Sequence, residues 1–327
     1  MEQQDSIIKW GILGCGNIAD HFAEDLKVVP NAQLYAVASR NTDKARDFGN
    51  KHGAIKSYGS YEALASDPEV QAIYIATPHP FHCKNTMLCL ENGKAVLCEK
   101  PFAMNTKEVK KMIAKAKTNK VLLMEALWTR FLPNYEYVLH HTRQKTWGEI
   151  KEMEADFGFQ VPFDANSRLY NKELGGGSLL DIGIYPIFLA LSLLGYPEKI
   201  EADAQFAPTE VDEILNIRLT HKNKAISKLY STFKEHTPTQ AVIQYEKATL
   251  IMHTNFYQIS EVSITIDGKT ERLSFEKMGR GYYREAAHFG QLIREGKTES
   301  PMMPFDHSLK LMRLLDEIRD KIGLSYS

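Results

Sequence analysis

The chain has 327 residues, with 40 Lys and Arg against 41 Asp and Glu, for a formal net charge of −1. That length suggests about two domains, each able to bury its own core. A share of 43% hydrophobic and 25% charged residues excludes a disordered chain, a collagen-like repeat and a disulfide mini-scaffold, and the near-neutral balance excludes a dedicated nucleic-acid binder, which needs a basic face.

Residues 1–5 show no basic stretch leading into an apolar one, so no secretory leader is expected. Short β-branched runs at 7–13, 34–39, 72–76, 94–98 and 121–125 read as strands. Amphipathic stretches at about 18–26, 42–52, 80–91 and 106–118 read as the helices between them. Nearly continuous hydrophobicity in the strands predicts a parallel sheet covered on both faces, a doubly wound Rossmann domain over residues 1–126. Cys15, Cys83, Cys89 and Cys98 all fall in this part without C-x-x-C spacing, which reads as reduced thiols of a cytoplasmic protein.

The pattern changes after Leu127. Helical stretches near 134–143 and 178–194 precede segments of period-two alternation. Leu215, Ile217 and Leu219 face one way, and Val262, Ile264 and Ile266 repeat the pattern. This predicts an α+β domain over 127–327 with a large, mostly antiparallel, open-faced sheet. The apolar run 179–194 is broken by Asp181 and Pro186 and is too short to span a bilayer, so no membrane association is expected. Leu311, Leu314, Leu315, Ile318 and Ile322 form the apolar stripe of a last helix, able to pack back on the first domain.

The strongest local signal is Gly11-Ile12-Leu13-Gly14-Cys15-Gly16-Asn17-Ile18-Ala19, a G-x-G-x-x-A element between the first strand and the first helix. Gly14 permits the tight turn, Gly16 lets a pyrophosphate approach the backbone, and the N–H groups of Asn17 and Ile18 open the helix toward it. An NAD site usually places a carboxylate ~20 residues further on. Here Ser39-Arg40 follows the second strand, a hydroxyl and a cationic fork suited to a 2′-phosphate, so NADP(H) is expected over NAD(H). The alternative is that Arg40 is a solvated surface charge. Two further strands run into proline turns, Thr77-Pro78-His79 with His82, and Glu99-Lys100-Pro101. Both fall at the carboxyl edge of a parallel sheet, where ligands bind. Lys100 there is expected to face the cofactor, unless it is a loop lysine. Asp181 and Tyr185 lie four apart on an otherwise apolar helix and so share a face. They meet either a ligand or one another in a buried hydrogen bond. The glycines at 175–177 before them allow close approach of substrate, or form only a loop and cap.

Together these motifs resemble the Gfo/Idh/MocA oxidoreductase family, through the glycine fingerprint, Thr77-Pro78-His79, Glu99-Lys100-Pro101, Glu125 to Pro133 and Gly176 to Pro186. Many members have Asn where His79 stands and His where Tyr185 stands. The run Ala126-Leu127-Trp128-Thr129-Arg130-Phe131 with Tyr185 looks most like the branch holding dimeric dihydrodiol dehydrogenase and NADP-dependent xylose dehydrogenases. The resemblance implies a sugar or cyclic diol as the small-molecule substrate, Trp128, Arg130 and Phe131 with Asp181 around it, and a homodimer or higher homo-oligomer through the open sheet. It also implies that Thr77, Pro78, His79, His82 and Glu99 serve the cofactor.

The residue types then suggest hydride transfer at nicotinamide, with Tyr185 as general acid/base. A free phenol, of pKa ~10, needs a cation such as Lys100 to act near neutrality. Asp181 orients the substrate hydroxyl or tunes Lys100. A cofactor-sensing regulator on the same fold and a biliverdin-reductase-like enzyme are the competing readings. No histidine or cysteine spacing suits a metal, and neither a P-loop nor G-x-S-x-G is present.

Overall fold

A computed structural model describes residues 6–326; residues 1–5, read above for a leader, and residue 327 lie outside the described residues. The chain divides into two compact units, Met1–Phe131 with Met278–Leu309, and Leu132–Lys277 with Lys310–Ser327.

The first unit alternates strand and helix: β1 (Ile8–Leu13), α1 (Asn17–Leu26), β2 (Ala32–Ala38), α2 (Thr42–His52), β3 (Lys56–Tyr58), α3 (Tyr61–Ser66), β4 (Ala72–Ile75), α4 (His82–Glu91), β5 (Ala95–Glu99), α5 (Thr106–Asn119) and β6 (Leu123–Ala126). The strands lie in the order β3-β2-β1-β4-β5-β6, every pair parallel. All residues of β4, β5 and β6 are buried, as expected where helices cover both faces. Reading the sequence missed β3 and α3. The strand is three residues of Lys-Ser-Tyr at the sheet edge, without an apolar run to mark it.

The second unit holds α6 (Pro133–Arg143), β7 (Ile150–Gly158), α7 (Ile184–Leu194), β8 (Lys199–Phe206), β9 (Asp212–Thr220), β10 (Ile226–Thr232), β11 (Ala241–Tyr245), β12 (Thr249–Met252), β13 (Val262–Ile266) and β14 (Lys269–Leu273). Its sheet runs β14-β13-β12-β11-β7-β10-β9-β8, antiparallel except where β7 pairs β10. Leu215, Ile217 and Leu219 are buried while Asn216 and Arg218 are exposed, as the alternation requires. Ile266 departs from the pattern and is exposed, because it ends the strand at the Asp267-Gly268 turn, both residues with positive φ. The segment Lys172–Leu194 has the length and composition to cross a membrane, yet 83% of its most apolar window is buried inside the protein. Its last part, α7, is a core helix of this unit.

From Met278 the chain returns to the first unit, which therefore extends beyond the residues 1–126 expected for it. One buried carboxylate helps to hold it there. Asp25 of α1 is buried and accepts the backbone N–H groups of Arg280 (2.9 Å), Gly281 (2.8 Å) and Tyr282 (2.8 Å). These open α8 (Tyr282–Arg294), whose own cap, Gly281, has no side chain to offer. Trp10 of β1 then fits between Phe22 of α1 at 5.5 Å and Phe289 of α8 at 5.4 Å. The last helix, α9 (Phe305–Ile322), starts in the first unit, and from Lys310 on belongs to the second.

Asp25→Ala leaves three N–H groups, two of them buried, without an acceptor and should lower the unfolding free energy by ~2 kcal/mol or more. Chemical denaturation measures this, and a loss below ~0.5 kcal/mol would refute the anchoring role.

Candidate active site

The carboxyl ends of β1, β2, β4 and β5 form one edge of the first sheet. After β1, Gly14 takes φ +100°, and a Cβ built on it would stand 2.9 Å from the Ala76 carbonyl oxygen and 3.2 Å from Thr77 Cγ2. Only glycine fits that crossing of the β1 and β4 turns. Gly16 caps α1 without a side-chain hydrogen bond, and a Cβ on it would meet nothing within 4 Å. The N–H groups of Asn17 and Ile18 thus open onto free space beside a backbone that a phosphate can approach, which fits a dinucleotide. Cys15 between the glycines is buried, and burial pushes its thiol up to about 11, so it is an unreactive thiol near neutrality.

After β2, Ser39 is buried and its Oγ accepts the Asn41 N–H at 3.2 Å. Arg40 is exposed, and its guanidinium lies 5.6 Å from the Phe81 ring centroid. The Tyr61 phenol is pushed up by burial and drawn back down by Arg40. Arg40 is therefore a steered cation with an aromatic platform, a feature that Phe81 and Tyr61 gave no local sign of in the sequence.

After β4 and β5, His79, Thr77 and Glu99 are buried and Lys100 is half-buried. His82, expected at the cofactor, is instead 0% exposed. Its Nδ1 lies 2.8 Å from the Pro101 carbonyl oxygen and its Nε2 2.7 Å from that of Thr77. It ties the two turns together from behind; burial pushes its pKa down against the pull of both carbonyls. Glu99 is likewise occupied by the protein, accepting from Tyr74 Oη and, at 3.1 Å, from the Lys100 N–H. The Lys100–Pro101 peptide is cis. Asn85 donates to Thr77 Oγ1 at 3.1 Å, and Glu125 accepts the Phe102 N–H at 3.0 Å. Pro78 precedes the short 3-10 turn His79–Phe81.

Trp128, Arg130 and Phe131, expected to wall the substrate, are buried in the first unit. Trp128 stacks on Tyr282 at 4.4 Å, Arg130 Nε donates to the Met302 carbonyl at 2.9 Å, and Phe131 meets His288 at 5.2 Å. Within that unit their role is to bind its returning segment.

Asp181 and Tyr185 belong to the second unit. The expected continuous helix opens instead with a π-helical turn, Leu179–Gly183, carrying Asp181, and Tyr185 follows in the first turn of α7. Such a widened turn is a recurrent device at functional sites. Asp181 accepts a hydrogen bond from Arg168 at 2.9 Å, the arginine side chain being 43% exposed. Tyr185 lies 4.9 Å from Tyr257 and 5.8 Å from Phe157, and these two stack at 4.4 Å. Burial pushes the Tyr257 phenol up, with the Gln258 amide opposing and the Asp181 charge adding to it. Sequence reading missed Arg168, Phe157 and Tyr257, which lie on separate segments and carry no motif. The glycine run serves the fold rather than a ligand: a Cβ on Gly176 would stand 2.7–3.0 Å from the carbonyl oxygens of Leu169, Asn171 and Arg168. Among the described residues, no group of three His, Cys, Asp or Glu side chains could hold a metal ion.

Residues 8–127 match the profile of the GFO/IDH/MocA oxidoreductase family, NAD-binding Rossmann fold, and residues 135–251 its C-terminal domain. The chain belongs to the GFO/IDH/MocA family. It is an NAD(P)-dependent oxidoreductase. It is 38% identical to a trans-1,2-dihydrobenzene-1,2-diol dehydrogenase of Xenopus laevis over 97% of this chain and 99% of that one. The Homo sapiens enzyme of the same name is 34% identical over 98% of both chains. Among solved structures, KijD10, a 3-ketoreductase from Actinomadura kijaniata in complex with NADP and TDP-benzene, superposes with a TM-score of 0.87 at 26% identity. That match covers 97% of this chain and 98% of that one.

The family's E-K-P turn rests here on Glu125. Burial pushes this carboxyl up to about 7, opposed by the Ser308 side chain and the Phe102 N–H. The folded chain keeps a proton that the unfolded chain releases between about pH 4.5 and 7. The stability from this group is therefore complete below that window and is lost as pH rises through it. Glu125→Gln should gain thermal stability relative to the wild type between about pH 5 and about pH 8. A Tm difference independent of pH would refute the assignment.

Proposed function

We propose that the protein transfers hydride between NADP(H) and a CH–OH or C=O carbon of a cyclic diol or sugar. Asp181 and Tyr185 beside an aromatic wall carry this reading. Phe157 and Tyr257 offer flat faces to a ring, and the Arg168–Asp181 pair offers a donor and an acceptor to adjacent hydroxyls. The names of the relatives, diol dehydrogenases among them, point the same way.

The cofactor supplies or accepts the hydride. Tyr185 holds the proton that moves at the substrate oxygen, as general acid in reduction and general base in oxidation. Lys100, on the cofactor-binding unit, is its cationic assistant, and Asp181 orients the hydroxyl. Gly14, Gly16 and the first amides of α1 take the pyrophosphate. Ser39 and Arg40 take the 2′-phosphate, and this sets the preference for NADP(H). His82 and Glu99 act from behind the turns that bear Thr77, His79 and Lys100.

Tyr185→Phe should lower kcat ~100-fold or more without weakening NADP(H) binding. Arg40→Ala should lower kcat/KM with NADP(H) ~10-fold or more and leave NAD(H) unchanged. Normal turnover in the first variant, or equal losses with both cofactors in the second, would overturn the respective role.

The open sheet face supports a cytoplasmic homodimer. Acidic and basic side chains interleave across it in ion pairs, Lys228 with Glu152 and Glu154 and Lys199 with Glu201, a pattern that a second copy can complement. The four cysteines are free and buried, which suits a reducing compartment. Analytical ultracentrifugation should give twice the 37.2 kDa chain mass, and a monomer at micromolar concentration would contradict this.

A further inference from the structure

We propose that Asp212 and Tyr326 are positioning residues that clamp the glycine run and the π-helical turn presenting Asp181. The inference rests on the reading of Asp181 and Tyr185 as active-site residues. Asp212 is the first residue of β9, and its carboxyl group is 0% exposed. Oδ2 accepts two hydrogen bonds, from Ser178 Oγ and from the Leu179 N–H, both at 2.7 Å. These are the residues that enter the π-helical turn, so a distant strand supplies the cap that the local sequence lacks. Ser178 Oγ is also 3.0 Å from Ser231 Oγ on β10, which ties the same point to a third element.

The other side of the clamp comes from the segment after α9. Tyr326 Oη donates to the Gly176 carbonyl oxygen at 2.5 Å. The Arg319 guanidinium lies 5.4 Å from the Tyr326 ring centroid and holds the ring over the glycine run. Between the two grips stands Gly177, at φ +113°. A Cβ there would lie 2.3 Å from Asp212 Oδ1 and 3.2 Å from Tyr326 Oη. Both oxygens therefore face the space that this glycine leaves open. Asp212 Oδ1 is buried and has no hydrogen-bond partner.

Gly175 and Gly177 both have positive φ, and no side chains restrain the run. The Gly176 and Gly177 N–H groups donate to the carbonyl oxygens of Asn171 and Leu169, both at 2.9 Å, so without the clamp the run, four to six residues before Asp181, is held from one side only and keeps part of a glycine's freedom. A carboxylate and a phenol brought from positions 212 and 326 remove that freedom where side chains of the run itself cannot. The expected consequence is kinetic. Losing one grip broadens the orientations of Asp181 and Tyr185, and so lowers the fraction of bound substrate held ready to react.

The test compares Tyr326→Phe, Asp212→Ala, Asp212→Asn and Tyr185→Phe in the full chain, with NADP(H) binding, kcat and Tm measured on each. Tyr326→Phe keeps the ring under Arg319 and removes only the O–H donor. It should lower kcat ~10-fold, the scale of one positioning hydrogen bond, while NADP(H) affinity is unchanged and Tm moves by a few degrees at most. Asp212→Ala should lose more, and Asp212→Asn, which still accepts from Ser178 and Leu179, should recover most of the kcat. Should Asp212→Ala fail to fold, Tyr326→Phe and Asp212→Asn decide the matter. A wild-type kcat in Tyr326→Phe, alongside a collapsed Tyr185→Phe, overturns the clamp and leaves the catalytic reading intact. Normal turnover in Tyr185→Phe overturns the catalytic reading itself.

Discussion

A parallel sheet buried on both faces must end all its strands at one edge, and in the first unit this constraint places every group that could handle a dinucleotide. β1 delivers the glycine turn, β2 delivers Ser39 and Arg40, β4 delivers Thr77 and His79, and β5 delivers Lys100. Because β1 lies between β2 and β4, its turn crosses that of β4 so closely that Gly14 tolerates no side chain. The turns are then braced from the protein side. His82 binds the carbonyls of Thr77 and Pro101, Glu99 binds its own successor, and Glu125 binds Phe102. At this edge Arg40 is exposed and Lys100 half-buried, near the N-terminus of α1, a setting suited to an anion.

The second unit solves a different problem. Its mostly antiparallel sheet buries one face only, so one helical segment carries both the core and the Asp181–Tyr185 pair. α7 does the first with an apolar sequence. The π-helical turn ahead of it sets Asp181 beside Arg168, and the first turn of α7 sets Tyr185 beside Tyr257. A widened turn costs stability, and here the two hydrogen bonds that Asp212 accepts from Ser178 and Leu179 act against that cost.

Much of this was readable from the residues alone, where period and local chemistry agree. The parallel strands, the fingerprint glycines and the alternation at Leu215, Ile217 and Leu219 all declare themselves within ten residues. Features that depend on chain separation did not. Asp25 reaches Gly281 across 256 positions, and Tyr326 reaches Gly176 across 150. No window along the chain contains either contact. For the same reason the protein partners of His82, Glu99, Trp128 and Arg130 do not show in the motifs that contain them. β3 was missed on different grounds, being an edge strand too short and polar for any periodicity to register.

The central claim is that this chain carries out hydride transfer, with NADP(H) preferred. Nicotinamide absorbance at 340 nm, followed for the intact protein with a panel of cyclic diols and sugars and with each cofactor in turn, tests it most directly. The account predicts steady turnover of at least one diol or sugar, with a higher kcat/KM for NADP(H) than for NAD(H). Tight NADP(H) binding with no turnover of any compound in either direction would contradict it.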